Sequence, residues 1–184
     1  MPLKNEKKLL NDRLIVVTGD ITEIDTDCVV NAANSSLMGG GGVDGTIHKK
    51  AGKSLLEECK NIKNTQYPNG LPTGQAVITG AGKLKAKFII HTVGPIWHKT
   101  KDNLDNLLCQ CYTNSLNLCA TKGIKTIAFP AISTGVYGYP KIKAAKVAYQ
   151  AAKKYLASHK LPERIYFVFF TENDSHIFLE SIEK

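Results

Sequence analysis

Short runs of apolar residues alternate along this chain with longer stretches in which apolar residues recur every three or four positions. The runs predict strands, at residues 14–17, 28–30, 76–79, 88–93, 126–129 and 165–170. The stretches predict helices, at residues 43–59, 104–119 (with Asp102 near its start), 142–156 and 175–183. Because the later strands are apolar on both faces, helices must cover both sides of the sheet. The alternation therefore predicts a three-layer α/β/α sandwich around a mixed, largely parallel central sheet.

The length and composition predict one globular domain. The chain has 184 residues, of which 43% are hydrophobic and 22% are charged, and no linker or repeat divides it. We expect a single domain over residues 1–184, with residues 1–13 as an N-terminal extension that packs on it or frays from it. The longest apolar run, residues 165–170, is far shorter than the roughly 20 residues that span a bilayer. Since residues 1–8 also lack the apolar core of a signal peptide, we predict a cytoplasmic protein with no membrane partner, and nothing demands more than a monomer.

The charge of the chain is positive but unevenly distributed. A net charge of +8 is typical of proteins that bind nucleic acid. However, all but two of the 24 basic residues are lysines, and arginine is the usual reader of bases and phosphates. Acidic residues are absent from residues 59–101 and 106–162, and Asp44 is the only one between residues 28 and 56. This distribution of acidic residues predicts a site for an anionic ligand. Specific recognition of nucleic acid is disfavoured, because no aromatic residues alternate with the lysines.

The five cysteines do not form the regular framework of a disulfide-bonded or metal-binding domain. Cys109 and Cys111 lie two positions apart in a predicted helix, where their side chains point to different faces. No histidine lies at metal-ligand spacing from this pair. We therefore expect reduced, buried thiols, and we predict neither a bound metal nor another cofactor.

Four consecutive glycines precede the first predicted helix. Such a run is costly unless the backbone adopts unusual angles or a ligand comes close, and the N–H groups at a helix N-terminus bind anions. Gly40, Gly42 and Gly45 match the G-x-G-x-x-G pattern, but the strand does not run directly into them as in dinucleotide-binding enzymes. No lysine followed by Ser or Thr completes a P-loop either. The sequence thus predicts an anion-binding loop flanked by Asn34 and Asp44, and it disfavours a hydride-transfer enzyme.

A second loop, residues 130–140, also joins a buried strand to a helix and supplies Gly, Ser and Thr donors. Two such loops side by side would grip a diphosphate from both sides. Tyr137 lies between Gly135 and Gly138, where its ring would form an aromatic wall for a sugar. For Tyr139, packing on a tight turn is an equally good interpretation.

Several further polar residues allow two interpretations each. Asp20 follows the first strand, where its side chain either caps a short helix or accepts a hydrogen bond from the exocyclic amine of a base. His48 lies one helical turn after Asp44 and either tunes that carboxylate or is a structural histidine. We interpret His91 and His98 as structural or surface residues.

The chain resembles the MacroD-type macrodomains in five segments that occur in the order of that family: residues 19–22, 30–34, 39–48, 91–95 and 133–140. The only departures are minor, with Thr46 where the family often has Ala and Lys49 where it often has Arg. The resemblance covers nearly the whole chain and implies an α/β/α sandwich that binds ADP-ribose. Many members of the family remove mono-ADP-ribose from acidic side chains of proteins and deacetylate O-acetyl-ADP-ribose. The Cys and His ligands of the zinc-containing branch are not found near the first glycine loop, in line with the prediction of no metal.

The resemblance also implies roles for individual residues. Asp20 would accept a hydrogen bond from the exocyclic amine of adenine, and Ile21 would make a backbone contact beside this amine. Phe170 would lie against the base. Asn34 would bond the hydroxyls of the distal ribose, and Asp44 would face the bond to be cut. The diphosphate would be held by the two loops, at Gly41, Gly42, Val43, Ser133, Thr134, Gly135, Val136 and Tyr137.

The bond to be hydrolysed would be an ester at the distal ribose. Asp44 lies in the first turn of a helix, where the macrodipole favours its anion, so we predict an ionised residue that orients a water or acts as general base. Asn34 would position the sugar, Tyr137 would shape the water pocket, and His48 is the fourth catalytic candidate. The expected partners are ADP-ribose, O-acetyl-ADP-ribose and proteins with mono-ADP-ribose on Glu or Asp. The alternatives are a non-catalytic ADP-ribose reader, although readers lack the pair of Asn34 and Asp44, and a basic RNA-binding module.

Overall fold

The computed structural model describes residues 3–99 and 103–183, which form seven strands and five helices. The strands are β1 (Lys4–Leu9), β2 (Leu14–Thr18), β3 (Cys28–Ala33), β4 (Ala76–Gly80), β5 (Phe88–Val93), β6 (Thr126–Phe129) and β7 (Arg164–Phe169). The helices are α1 (Gly42–Ala51), α2 (Lys53–Thr65), α3 (Leu104–Thr121), α4 (Lys141–Ser158) and α5 (Glu172–Glu183). A short 3₁₀ turn, Ile21–Glu23, follows β2. The predicted helix start near Asp102 lies outside the described residues.

The strands form one mixed sheet in the order β1-β2-β7-β6-β3-β5-β4. The four inner pairings are parallel, and only the edge pairings of β1 with β2 and of β4 with β5 are antiparallel. Residues of β2 alternate between two core layers, because successive side chains of a strand point to opposite faces. Leu14 and Val16 pack with α3, α4 and α5, whereas Ile15 and Val17 pack with α1 and α2. The predicted α/β/α sandwich with a mixed, largely parallel sheet is thus confirmed.

The predicted helix over residues 43–59 was wrong in one respect, because the structure has two helices there. Gly52 separates α1 from α2 with a φ of +88°, a value that favours glycine, and its N–H donates to the carbonyl of His48. The sequence pattern concealed this break because the apolar spacing continues across it, from Ala51 to Leu55. Both helices cover the same face of the sheet, because Ala51 and Leu55 belong to the same core layer.

The parallel strands bring four loops to one edge of the sheet. Asp20 follows β2, Asn34 and the glycine run follow β3, and residues 130–140 follow β6. β7 ends at Phe169, so Phe170, predicted as the last residue of that strand, lies beyond it and is 72% exposed. Sheets of this kind bind ligands beyond the carboxyl ends of their strands, and we therefore expect a binding site at this edge.

β1 forms an exposed edge of the sheet. It lies antiparallel to β2, so part of the predicted N-terminal extension belongs to the sheet. Its lysines, Lys4, Lys7 and Lys8, are exposed, and charge on an edge strand discourages pairing with another chain. Among the described residues, no helix is long and apolar enough to cross a membrane.

Candidate active site

A cleft of about 580 Å³ lies between the two glycine-containing loops at this edge of the sheet. The volume falls within the roughly 300–1,000 Å³ of sites that enclose small molecules. All of the residues that the sequence assigned to ligand binding line it, and so do the catalytic candidates Asp44, Asn34 and Tyr137. His48 lies behind Asp44, with a side chain that is 12% exposed. The structure therefore brings the candidates together, while their roles stay predictions.

Close packing within the first glycine loop fixes its path. A Cβ atom at Gly45 would lie 2.3 Å from the carbonyl oxygen of Gly40, so only glycine fits there. Gly42 adopts a φ of +60° at the start of α1, and both Gly41 and Gly42 border open space. The first N–H groups of α1 have no acceptor inside the helix. They therefore form an anion-binding end at the cleft.

The second loop presents a further row of backbone donors. Within the part of the chain that the structure describes, the N–H groups of Gly135, Val136 and Tyr137 have no acceptor. Ser133 adopts a φ of +67° and packs tightly on the loop after β5, where a Cβ at Gly94 would lie 2.1 Å from the Ser133 Oγ. The close approach holds this loop beside the cleft, which Gly135, Val136 and Tyr137 line.

Apolar side chains form the walls of the cleft. Val136 is 99% exposed and Phe170 is 72% exposed, and both line the cleft, where their side chains are available to contact a ligand. Tyr137 is half-buried beside them, and burial together with the charge of Asp44 raises the pKa of its hydroxyl. Tyr139, in contrast, is buried and packs edge-on against Trp97 at 4.9 Å between ring centroids. Tyr137 thus belongs to the site, and Tyr139 belongs to the core.

The structure confirms the capping role of Asp20 and also places the residue at the cleft, while its role in base recognition stays a prediction. Its Oδ1 caps the 3₁₀ turn by accepting a hydrogen bond from the N–H of Thr22 at 2.9 Å. Its Oδ2 accepts from Lys50 Nζ at 3.0 Å, and the residue also lines the cleft. Burial acts to raise the pKa of this carboxyl, but the hydrogen bonds from Thr22 and Lys50 outweigh it and hold the pKa below its ordinary value. Asp20 therefore presents an ionised acceptor at one end of the cleft.

The Asn34 side chain shapes the loop in which it lies. Its Nδ2 donates to the carbonyl of Gly39 at 2.9 Å, and its Oδ1 accepts from the N–H of Ser36 at 3.0 Å. A Cβ at Gly40 would lie 3.2 Å from this Nδ2 and 3.1 Å from Asp44 Oδ2. A side chain at position 40 would therefore crowd both the amide of Asn34 and the carboxylate of Asp44.

Asp44 is the buried carboxylate of the site, with 4% of its surface exposed. Its Oδ1 accepts a hydrogen bond from Asn31 Nδ2 at 2.7 Å and lies 3.5 Å from His48 Nε2. Burial raises the pKa of Asp44, and the hydrogen bond from Asn31 and the charge of His48 offset this only in part. The sequence prediction, based on the helix dipole, gave the opposite direction, because exposure could not be determined from the sequence.

The residues that hold Asp44 from behind were not predicted from the sequence. Asn31 Nδ2 also lies 3.1 Å from His91 Nδ1, and His91 Nε2 lies 3.0 Å from Thr79 Oγ1. Burial lowers the pKa of His91 to about 3, so its ring is neutral. His91 is thus a buried structural residue, whereas His98 is exposed. The signal in the sequence was one polar residue, Asn31, within an otherwise apolar strand.

His48, Cys59 and His91 form a cluster whose ligand atoms lie within 4.8 Å of one another. These are residue types that bind zinc. However, both ring nitrogens of His91 already have hydrogen-bonding partners, and burial raises the pKa of the Cys59 thiol to about 12, so its thiolate is disfavoured. We interpret the cluster as the packed support of Asp44 and assign no metal to it.

Together these features define an α/β/α protein in which two glycine loops form an anion-binding cleft around one buried carboxylate. The family model for the Macro domain matches residues 30–148, which is more than half of the chain. The chain belongs to the Macro domain family, and the resemblance noted in the sequence is confirmed.

Several relatives and solved structures are similar over nearly the whole chain. Proteins named O-acetyl-ADP-ribose deacetylase from Escherichia fergusonii and Cronobacter turicensis are 52% and 53% identical, over 92% and 90% of this chain and 94% and 93% of those proteins. The Oceanobacillus iheyensis macrodomain with ADP superposes with a TM-score of 0.94 and 43% identity, and the match covers 100% of this chain and 97% of that one. A Trypanosoma brucei macrodomain in complex with ADP-ribose gives a TM-score of 0.83 with 34% identity, over 93% of this chain and 69% of that one.

Proposed function

We propose that this protein binds ADP-ribose and hydrolyses O-acetyl-ADP-ribose, and that it also removes mono-ADP-ribose from Glu and Asp side chains of proteins. The observation that carries the proposal is the buried carboxylate of Asp44, in a cleft bounded by backbone N–H groups and apolar walls. A module that only reads ADP-ribose has no need of a desolvated acid at this point. The names of the relatives support the deacetylase part, and release from proteins is the extension that we add.

The cleft matches the chemistry of ADP-ribose from one end to the other. At one end the ionised Asp20 accepts from the adenine amine, and the exposed ring of Phe170 lies against the base. In the middle, the N-terminus of α1 and the N–H groups of residues 135–137 hold the diphosphate. At the other end, Asn34, Asp44 and Tyr137 surround the distal ribose.

Asp44 acts on a water molecule at the ester. The water oxygen attacks the acetyl carbonyl carbon while Asp44 accepts a proton from the water, and the ribose oxygen then leaves and takes up that proton. The products are ADP-ribose and acetic acid, which ionises in solvent. The raised pKa of Asp44 strengthens it as a base, since a general base is most effective when its pKa lies near the working pH.

Residues around Asp44 have positioning roles in this reaction. Asn31 donates to Asp44 Oδ1, which leaves Oδ2 for the water. Asn34 is uncharged and orients the sugar without titrating. The same arrangement serves a Glu- or Asp-linked substrate, because an ester at the distal ribose is again the bond that water must cleave.

Three assays on the wild-type protein test the proposal. Titration calorimetry with ADP-ribose should give saturable binding at one site, and incubation with O-acetyl-ADP-ribose should release acetate. A protein carrying glutamate-linked ADP-ribose should be demodified in a third reaction. Binding without acetate release would leave only a reader, and binding of RNA that free ADP-ribose does not displace would contradict the proposal altogether.

A further inference from the structure

One ion-pair network at the adenine end of the cleft has no part in the reaction described above. Lys50, near the C-terminus of α1, donates to Asp20 Oδ2 at 3.0 Å and to Glu23 Oε1 at 2.7 Å. Glu23 in turn lies 3.6 Å from Lys85. The Lys50 side chain is 37% exposed, compared with 17% for Asp20, and it does not line the cleft itself.

The hydrogen bonds of Asp20 limit how a base can be recognised. Oδ1 already accepts from the N–H and the hydroxyl of Thr22. Only Oδ2 has capacity for a ligand, and one of its lone pairs accepts from Lys50. The exocyclic amine of adenine must therefore bond to the remaining lone pair of Oδ2, in a direction that Lys50 helps to determine.

We propose that Lys50 is a positioning residue for base recognition, which orients Asp20 Oδ2 toward the 6-amino group of the purine. The inference rests on the proposed binding of ADP-ribose. A protonated Asp20 would turn an O–H toward the amine, and two donors would then face each other. The ammonium group also balances the negative charge of Asp20 in a site that must receive a diphosphate.

The effect of pH follows from the charged groups around Asp20. These are Lys50 on α1, Glu23 on the 3₁₀ turn and Lys85 beyond it. Hydrogen bonds from Thr22 and Lys50 hold the pKa of Asp20 below its ordinary value against the opposing effect of burial. Removing Lys50 should raise that pKa, so affinity should begin to fall at a higher pH as the solution is acidified.

A double-mutant cycle separates this role from a general effect of charge. We expect Lys50→Met to weaken ADP-ribose about three- to fivefold, the size of an exposed ion pair, and Lys50→Arg to restore the affinity. Lys49→Met is the matched control, because it removes the same charge from the neighbouring position, where the described residues provide no ion pair. In an Asp20→Asn background, Lys50→Met should have little further effect.

Two more measurements give readouts that loss of structure alone would not change. As the solution is acidified, the affinity of Lys50→Met for ADP-ribose should begin to fall at a higher pH than that of the wild type. Protonation of the ligand itself affects both proteins equally and does not change this difference. The ratio of the affinity of Lys50→Met for ADP-ribose to its affinity for the analogue in which hypoxanthine replaces adenine should also be smaller than in the wild type. Unchanged or tighter binding by Lys50→Met, or an equal loss in the Asp20→Asn background, would overturn the inference. Failure of the wild type to bind ADP-ribose would instead refute the proposed function.

Discussion

Substitution of Gly45 by alanine should displace the first glycine loop without unfolding the protein. The new Cβ would lie 2.3 Å from the carbonyl oxygen of Gly40, which must move about 1.1 Å to reach an ordinary contact of 3.4 Å. Overpacking costs about 1–3 kcal/mol, and the gain in helix propensity from Gly to Ala returns about 1 kcal/mol. We expect a net loss of up to about 2 kcal/mol in the free energy of unfolding. Release of acetate should fall about 10- to 100-fold, because a shift of about 1 Å misplaces Asp44 and Asn34.

Gly41→Ala is the control for stability in the same loop. Its Cβ would meet no atom within 4 Å, and the φ of −94° suits any residue. Alanine is a poorer N-cap than glycine, but it also lowers the conformational entropy of the unfolded chain, so we expect the free energy of unfolding to stay within about 0.5 kcal/mol of the wild type. Denaturant unfolding, followed by the fluorescence of the single tryptophan, Trp97, measures both variants. The reasoning is refuted if Gly45→Ala matches the wild type in stability and turnover, or if Gly41→Ala loses as much stability.

Three further substitutions test other parts of the site. Asn31→Leu removes the hydrogen-bond donor to Asp44 and so raises the pKa of Asp44 further. Turnover needs the ionised form of Asp44, which is lost as the pH falls through this pKa. The acid limb of the pH–rate profile should therefore move to higher pH. An unmoved limb would exclude Asp44 as the titrating group. Asp20→Ala should weaken ADP-ribose by about 1–3 kcal/mol in calorimetry but leave a ligand without adenine unaffected, and an equal loss for both would indicate a capping role alone. Asn34→Ala should reduce both the affinity for ADP-ribose and the rate of turnover, because the side-chain amide of Asn34 shapes the loop through its hydrogen bonds and also faces the sugar. A loss of rate alone would contradict this.

The sequence was informative about the fold because burial leaves a regular pattern. The apolar runs of the parallel strands and the four-residue spacing of the helices follow from the geometry of each element, so the three layers were predictable. The glycine run was equally informative, since its cost in backbone entropy indicates a functional reason. Order along the chain also placed the loops after the strands, at the edge of the sheet where the cleft lies.

Contacts between distant segments were not predictable from the same patterns. Lys50 meets Asp20 across 30 residues, and Asn31 meets His91 across 60. The raised pKa of Asp44 depends on how completely neighbouring segments bury it, which no local pattern records.

The most direct test of the account is the Asp44→Ala variant, measured for binding and turnover on the same preparation. Calorimetry should show ADP-ribose affinity within about threefold of the wild type, because the N–H donors and Asp20 remain in place. Release of acetate from O-acetyl-ADP-ribose should fall by about 10²- to 10⁴-fold, the contribution of a general base. Turnover near the wild-type rate, with intact binding, would contradict the assignment of Asp44 as the catalytic group.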